Sequence, residues 1–418
     1  MSRPSCTIPS YIPWILASVF FAYEFILRLL PGVLQLPLME QMGMNHTQFA
    51  MFSTSMFAVI YGLMQMPAGL LIQQFGLKRT LSFACFICAL SCFGLSITFS
   101  FYLAMLFRAM TALGASFGLI AALISIYDHI DTKESPLLIG ISMFLATISP
   151  TMIMNLFEPT FQVLESSTIF QLFGVIGLLL MLLCYYFIRE NPSPSPKLNT
   201  QAHWRKIGNL LSRSDIYPII LCSAMLYFPI EYLSENEGQL LFQLQGYNHA
   251  TSIHMIGYLW LGYAIGAPTL GWLCRLIDPV RLIIIGCITS IVLLFILIYT
   301  NTPSQIGTGL TALLGFGISA QALCYEILSK KSPPEFRSMV LAFNNAALSA
   351  VLALVAPIIG RQLDSSQELF SLQAYQTAML PLPIMLCLAL MLYIWSQLRK
   401  QDAISSYSSP NSLNRSVR

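Results

Sequence analysis

The sequence predicts an all-α membrane protein of twelve transmembrane helices in two pseudo-symmetric six-helix halves, and three observations carry that reading. The 418 residues are 56% hydrophobic and 9% charged, where soluble domains average roughly 25% charged. Apolar runs of bilayer-crossing length, about 20 residues, recur along the chain. The stretch Tyr61 to Arg79, YGLMQMPAGLLIQQFGLKR, is echoed 202 positions later by Tyr263 to Arg281, YAIGAPTLGWLCRLIDPVR. The echo keeps the first Tyr and aligns Gly69 with Gly271 and Arg79 with Arg281, as two similar halves would. In both copies a helix end, whose glycines are expected to admit a neighbouring backbone, runs into a short basic turn suited to a hairpin between membrane helices.

Charges and prolines taken as stops give spans at 12–36, 49–73, 80–99, 102–127, 136–157, 167–188, 217–242, 252–276, 281–299, 305–328, 338–360 and 375–397. The halves are 1–188 and 217–400, with a cytoplasmic linker at 189–216 that carries NPSPSPK and five Lys or Arg. Residues 401–418, rich in Ser and Asn, read as a disordered cytoplasmic tail. With both termini cytoplasmic, 18 of the 21 Lys and Arg fall on that side, Arg361 alone falls outside, and Arg28 and Arg108 lie within the membrane. That bias orients the chain. The first ten residues lack a signal-peptide core, so the first apolar run is expected to stay as a helix.

Several function classes are excluded. A net charge of +3, spread over loops, offers no face for nucleic acid. Cys85 and Cys88 form a CxxC inside an apolar run without a second pair, which reads as packing. All five histidines fall in loops or at span ends, against a buried relay or a metal site, and no phosphate-cradling loop occurs. The chain is read as no enzyme, with no cofactor.

The residues between the second and third spans carry a resemblance. GLLIQQFGLKR, with Gly69, Gly76, Lys78 and Arg79, is similar to the loop motif G-x-x-x-D-R-x-G-R-K/R of the major facilitator superfamily, although Gln73 and Gln74 stand where the motif has Asp and Arg. Arg108 and Gly114 in RAMTALGASFG match a second feature of that superfamily, while ISPTMIM replaces the antiporter motif G-P-x-x-G-G. FFAYEFILRLLPGV, YGLMQMPAGLL and LAFNNAAL further resemble the phagosomal nutrient and amino-acid transporters of intracellular gammaproteobacteria. The resemblance implies the major facilitator fold and a central cavity lined by helices one, four, seven and ten. It also implies a cytoplasmic gate built on Gly69, Gln73, Gly76, Lys78 and Arg79, which here lacks the latching Asp.

Candidate site residues follow from cost, since a central charge raises the insertion energy by about 2.5 to 3.5 kcal/mol. Glu24 and Arg28 lie in the first span, Arg108 in the fourth, Glu231 in the seventh, and Glu326 near the inner end of the tenth. Two cations above two carboxylates suit a zwitterion, because a guanidinium grips a carboxylate and a carboxylate holds an ammonium. The i, i+4 spacing also lets Glu24 and Arg28 neutralise one another without a ligand, and the sequence leaves that open. Glu231, with no basic residue in its own span, is the first candidate for a coupling proton, followed by Glu24. Glu235 and Glu237 are expected at a solvated outer mouth, and Glu326 in a gate ion pair with Lys330 or Lys331. Tyr227, Gln321 and Asn344 complete the expected substrate contacts, with Tyr23, Gln65, Tyr263 and Asn345 as further polar groups at membrane depth.

These readings converge on a secondary transporter in a bacterial inner membrane, taking up a small polar nutrient with protons by alternating access, an amino acid being the first candidate. It is expected to act as a monomer in the lipid bilayer. The alternatives are a proton-driven exporter of drugs or siderophore, a non-transporting membrane sensor, and a lipid flippase.

Overall fold

In a computed structural model that describes residues 11–130, 134–156, 163–189, 213–333, 337–366 and 370–408, helices stand where the apolar runs predict them. In chain order the spans are α1 (Ile12–Val33), α2 (His46–Ala50, a π-helical turn Met51–Ser55, then Met56–Phe75), α3 (Leu77–Ile97) and α4 (Phe101–Ala115 with Gly118–His129). They continue as α5 (Ser135–Leu156), α6 (Ser166–Phe187), α7 (Tyr217–Glu235) and α8 (His249–Leu273). The last four are α9 (Pro279–Tyr299), α10 (Ser304–Ile318 with Gln321–Lys331), α11 (Arg337–Asp364) and α12 (Pro381–Ser408). Among the described residues, eleven stretches are long and apolar enough to cross a membrane. The remaining span, α8, has 25 residues, about 37 Å of helix, but His, Tyr and Thr dilute its hydropathy.

The repeat extends beyond the loop that announced it. The breaks in α4 and α10 fall at Ser116 and Ser319, and the short helices Gln35–Met42 and Gly238–Leu244 begin at equivalent places, each pair 203 positions apart. One buried cluster draws only on residues 17–188, whereas a larger one gathers residues 216–393 together with Phe21, Phe25, Leu29, Val33, Ala50, Ala58, Ala146 and Met154. The first bundle therefore lends part of its core to the seam. That seam runs along α2 with α11 and α5 with α8, and α1 faces α7.

Three expectations need correction. The seventh span does not reach 242: α7 stops at Glu235, and Asn236 leaves helical space at φ −133°, ψ −118°. The chain then folds back through Gly238, where an added Cβ would sit 2.2 Å from the Leu233 carbonyl oxygen. The aligned glycines of the repeat do not admit close backbones, because a Cβ on Gly69 would meet Ile120 at 3.8 Å and one on Gly271 would meet nothing within 4 Å, whereas Gly266 of the second copy does, with an added Cβ 3.0 Å from the Phe316 Cα. Close approach occurs instead between α8 and α10, at Gly262 and Gly315. Finally, α12 continues to Ser408, into the stretch expected to be disordered, because no Gly or Pro interrupts the sequence until Pro410. The linker at 190–212 and positions 409–418 lie outside the described residues.

Candidate functional site

The site is organised by the contact of α1 with α7. A Cβ on Gly32 would lie 2.2 Å from the Ser234 carbonyl oxygen, so only glycine lets the two backbones meet there. One turn earlier, Arg28 reaches across the seam. Its Nη2 touches Glu231 Oε2, and its Nε donates to Glu235 Oε1 at 2.6 Å. Arg28, Glu231 and Glu235 are 8%, 0% and 1% exposed, so three charges share a site with almost no water. Desolvation is severe for each of them, and mutual pairing is what makes the arrangement tenable. Glu235 is therefore not at a solvated mouth: the fold-back at Asn236 covers it.

The pair that the i, i+4 spacing would allow within α1 does not form. Glu24 is 1% exposed, and neither carboxyl oxygen has a hydrogen-bond partner among the described residues. It packs against Gly118, with Oε1 3.2 Å from where a Cβ would stand, at the start of the second piece of α4. Thus Arg28 spends its donors on α7, and Glu24 is left with a helix break.

Arg108 has a different task from the one its sequence context suggests. Its Nη1 donates to the Leu27 carbonyl at 2.9 Å and its Nη2 to the Arg28 carbonyl at 2.7 Å, while Nε and Nη2 share the Ser53 carbonyl at 3.1 and 2.5 Å. Pro31 lacks the N–H that would bond Leu27 in a regular helix, and the π-helical turn at 51–55 re-aims the carbonyls of α2. Arg108 satisfies what those two irregularities leave over. Its Cζ lies 4.6 Å from the centre of the Phe57 ring, and Arg28 Cζ lies 5.4 Å from the same ring.

Toward the second bundle the lining turns neutral. Tyr263 Oη donates to Gln321 Oε1 at 2.9 Å, and Gln321 Nε2 donates to Ser223 Oγ at 2.9 Å. Tyr227 meets Trp260 and Tyr263 edge to face, with centroids 6.4 and 5.7 Å apart. Tyr325 bonds Asn345, whose Nδ2 lies 3.4 Å from Gln65 Oε1 across the seam. The Asn344 amide is fully buried, and neither its oxygen nor its nitrogen has a hydrogen-bond partner among the described residues.

A second cluster closes the seam on the face away from the linker. Asp364 accepts from the His46 and Thr47 backbone N–H groups at 2.9 Å each, and from Thr47 Oγ1. His46 Nδ1 donates to Glu237 Oε1 at 2.9 Å, and Tyr375 Oη donates to Glu237 Oε2 at 3.1 Å. Ser53 and Thr54 bond the Asn236 amide. Sequence reasoning placed His46 in a loop and Glu237 in solvent, and both are buried. The signal that was available is Asn45 followed by Gln48, a capping box that starts α2 at His46 and aims its first N–H groups at α11.

The expected gate residues are dispersed. Gly76 turns the chain at φ 86°, Gln73 and Arg79 are exposed, and Lys78 Nζ sits 4.6 Å over the Tyr185 ring. Glu326 pairs at 2.5 Å with Lys330 on its own helix and does not bridge the halves through that bond.

Comparison with curated protein sequences gave no match. Among solved structures, the chain resembles a bacterial homolog of the human lysosomal transporter Spinster in an inward-facing, unoccupied conformation, with a TM-score of 0.74, 16% identity, and coverage of 95% of this chain and 98% of that one. It also resembles a D-xylose-proton symporter (TM-score 0.72, 16% identity, 93% and 97% covered) and the nucleoside transporter NupG (TM-score 0.71, 14% identity, 93% and 98% covered). At these identities the likeness is one of fold. The sequence profile of the Major Facilitator Superfamily matches residues 16–357, and with twelve spans in two repeated bundles around this seam, the chain belongs to that superfamily of membrane transporters.

Proposed function

We propose that the chain takes up a small polar nutrient in symport with protons, an amino acid first among the candidates, across a bacterial inner membrane, as a monomer with both termini and the linker in the cytoplasm. The observation that carries the proposal is Arg28 of α1 held by Glu231 and Glu235 of α7 beside the bond-free carboxyl of Glu24. Alternating access requires the two halves to part where Arg28 joins them. A proton on Glu231 weakens that joint and frees guanidinium donors, which a substrate carboxylate can then take in bidentate fashion. Proton, substrate and separation of the halves are thus tied to the same three side chains. Glu24, one turn away, is the second proton site, and Tyr227, Gln321 and Asn344 supply neutral contacts.

Arg108, with its donors on backbone carbonyls, positions α1 and α2 and leaves the substrate carboxylate to Arg28. The basic turn with Gly69, Gln73, Gly76, Lys78 and Arg79, together with Glu326, is assigned to the cytoplasmic gate. Support comes from the D-xylose-proton symporter among the structural relatives and from the likeness of the first, second and eleventh spans to phagosomal nutrient transporters.

The test is uptake of a radiolabelled amino-acid panel into proteoliposomes under an imposed pH gradient, acid outside. Accumulation that collapses with a protonophore, and that Glu231→Gln uncouples while binding persists, is the expected result. Background uptake of every amino acid, with flux only outward or only of sugars or nucleosides, would sink the amino-acid reading.

A further inference from the structure

The groove between α3 and α6 at the linker face has no part in the transport site. It is an open groove of about 400 Å3, lined by Ser82, Phe83, Phe86, Met181, Leu182, Tyr185 and Tyr186. Lys78, Ser82 and Phe86 follow one another at i, i+4 and i+8 along α3 and so share a face. The ammonium of Lys78 lies 4.6 Å over the ring of Tyr185 at the end of the groove. Ser82 is 8% exposed, and its hydroxyl has no hydrogen-bond partner among the described residues.

Charge at this end is one-sided. The first turn of α3 holds Lys78 and Arg79 and no acid, and no side chain caps the helix. Cations at a helix N-terminus oppose the helix dipole, whereas an anion there is favoured by it and by the free N–H groups. Arg189 stands exposed two residues past the end of α6. The groove thus offers apolar and aromatic walls along its length, an orphan hydroxyl partway, and positive charge at one end.

We propose that this groove is a binding site for an anionic phospholipid. The phosphate sits against Lys78 and the start of α3, the Ser82 hydroxyl donates to the glycerol ester region, and one acyl chain lies along Phe83, Phe86, Met181 and Leu182. A zwitterionic lipid presents its own ammonium to Lys78, so the site prefers phosphatidylglycerol over phosphatidylcholine.

The experiment uses the full-length chain carrying Phe86→Trp in bilayers of phosphatidylcholine and phosphatidylglycerol in which one or the other lipid is brominated, with the quenching of the parent chain's own tryptophans subtracted. Brominated phosphatidylglycerol is expected to occupy the site with roughly fivefold preference, the scale of one cation near a charged headgroup. The preference is expected to vanish with Lys78→Gln, persist with Lys78→Arg, weaken with Ser82→Ala, and be unaffected by Lys330→Gln, whose ammonium is engaged by Glu326. Equal quenching by the two lipids means ordinary annular contact and overturns the proposal, as does a preference that survives Lys78→Gln. If Lys78→Gln does not fold, about 1 M salt in the Phe86→Trp protein replaces it, since screening at that strength acts within roughly 3 Å; a preference undiminished by salt overturns the proposal.

Discussion

The two bundles share a backbone plan but divide the chemistry unequally. At a spacing of 203 positions, Arg28 corresponds to Glu231, Glu24 to Tyr227, and Arg108 to Thr311. The first bundle thus carries both membrane-buried arginines, and the second answers with carboxylates, phenols and hydroxyls. Repeat mates Arg28 and Glu231 meet at the pseudo-symmetry axis and pair with one another. A duplicated position has become a heterologous contact, which teaches that the axis is where a repeat protein can convert symmetry into a bond between its halves. The helix crossings differ as well. In the second bundle, a Cβ on Gly262 or Gly315 would lie 1.8 Å from a carbonyl oxygen of the facing helix. The first bundle has Ile60, 202 positions before Gly262 as in the loop repeat, and Ala112, 203 before Gly315, packed in a small cluster with Phe57 and Ala115. Second-bundle α8 and α10 are locked backbone to backbone, and first-bundle α2 and α4 are separated by side chains.

The largest expected effect tests the pairing of repeat mates. Arg28→Ala leaves Glu231 and Glu235 buried without their cation, which costs about 3 to 5 kcal/mol and should appear as a large fall in melting temperature in detergent. The exchange Arg28→Glu with Glu231→Arg keeps opposite charges across the axis and is expected to restore part of that loss; no restoration would mean that the polarity of the pair is fixed by its surroundings. Next in size is Arg108→Met, which removes the donors to the Leu27, Arg28 and Ser53 carbonyls and costs about 2 to 4 kcal/mol, whereas Thr311→Val at the equivalent place is expected to cost less than about 1 kcal/mol. Equal losses would erase the asymmetry between the bundles.

Gly315→Ala forces α8 from α10 and is expected to cost about 1 to 3 kcal/mol by overpacking, with Gly69→Ala, in open contact, near neutral by the same melting assay. The smallest effect lies outside the membrane. Arg213 beside Asp215, at 2.9 Å, holds that carboxyl below its usual range. Its contribution is therefore present above the unfolded carboxylate pKa of about 3.9 and is lost as pH falls through the lower folded value. Because the pair is solvated, Asp215→Asn should change stability by less than about 1 kcal/mol at neutral pH.

Hydropathy with charges and prolines as stops made the twelve spans legible, even α8 with its diluted hydropathy, because a bilayer admits few alternatives to a long apolar helix. The internal repeat made the two bundles legible. What stayed hidden was pairing between residues far apart in sequence. The i, i+4 spacing of Glu24 and Arg28 drew attention to a local contact, and the partners of Arg28 lay 203 and 207 positions away at Glu231 and Glu235. Glu235 and Glu237 were misplaced because the polar cluster Ser234 to Gln239, which does mark the end of α7, reads as a solvated mouth, and nothing local shows that the chain folds back over it. The role of Arg108 was half legible: Pro31 signals a freed carbonyl at Leu27, but the π-helical turn that offers Ser53 leaves no trace in composition.

That π-helical turn at Met51–Ser55 is equivalent to one residue inserted into an otherwise regular helix. Deleting a single residue from this segment would restore unbroken α-helical winding and, at about 100° per residue, rotate everything before it around the axis of α2. His46 and Thr47 would swing away from Glu237 and Asp364, while Phe57 and Tyr61 kept their places beside Arg28. The chain thus contains two phases of one helix, one set by the linker face and one by the opposite face, and the extra residue is the splice that reconciles them.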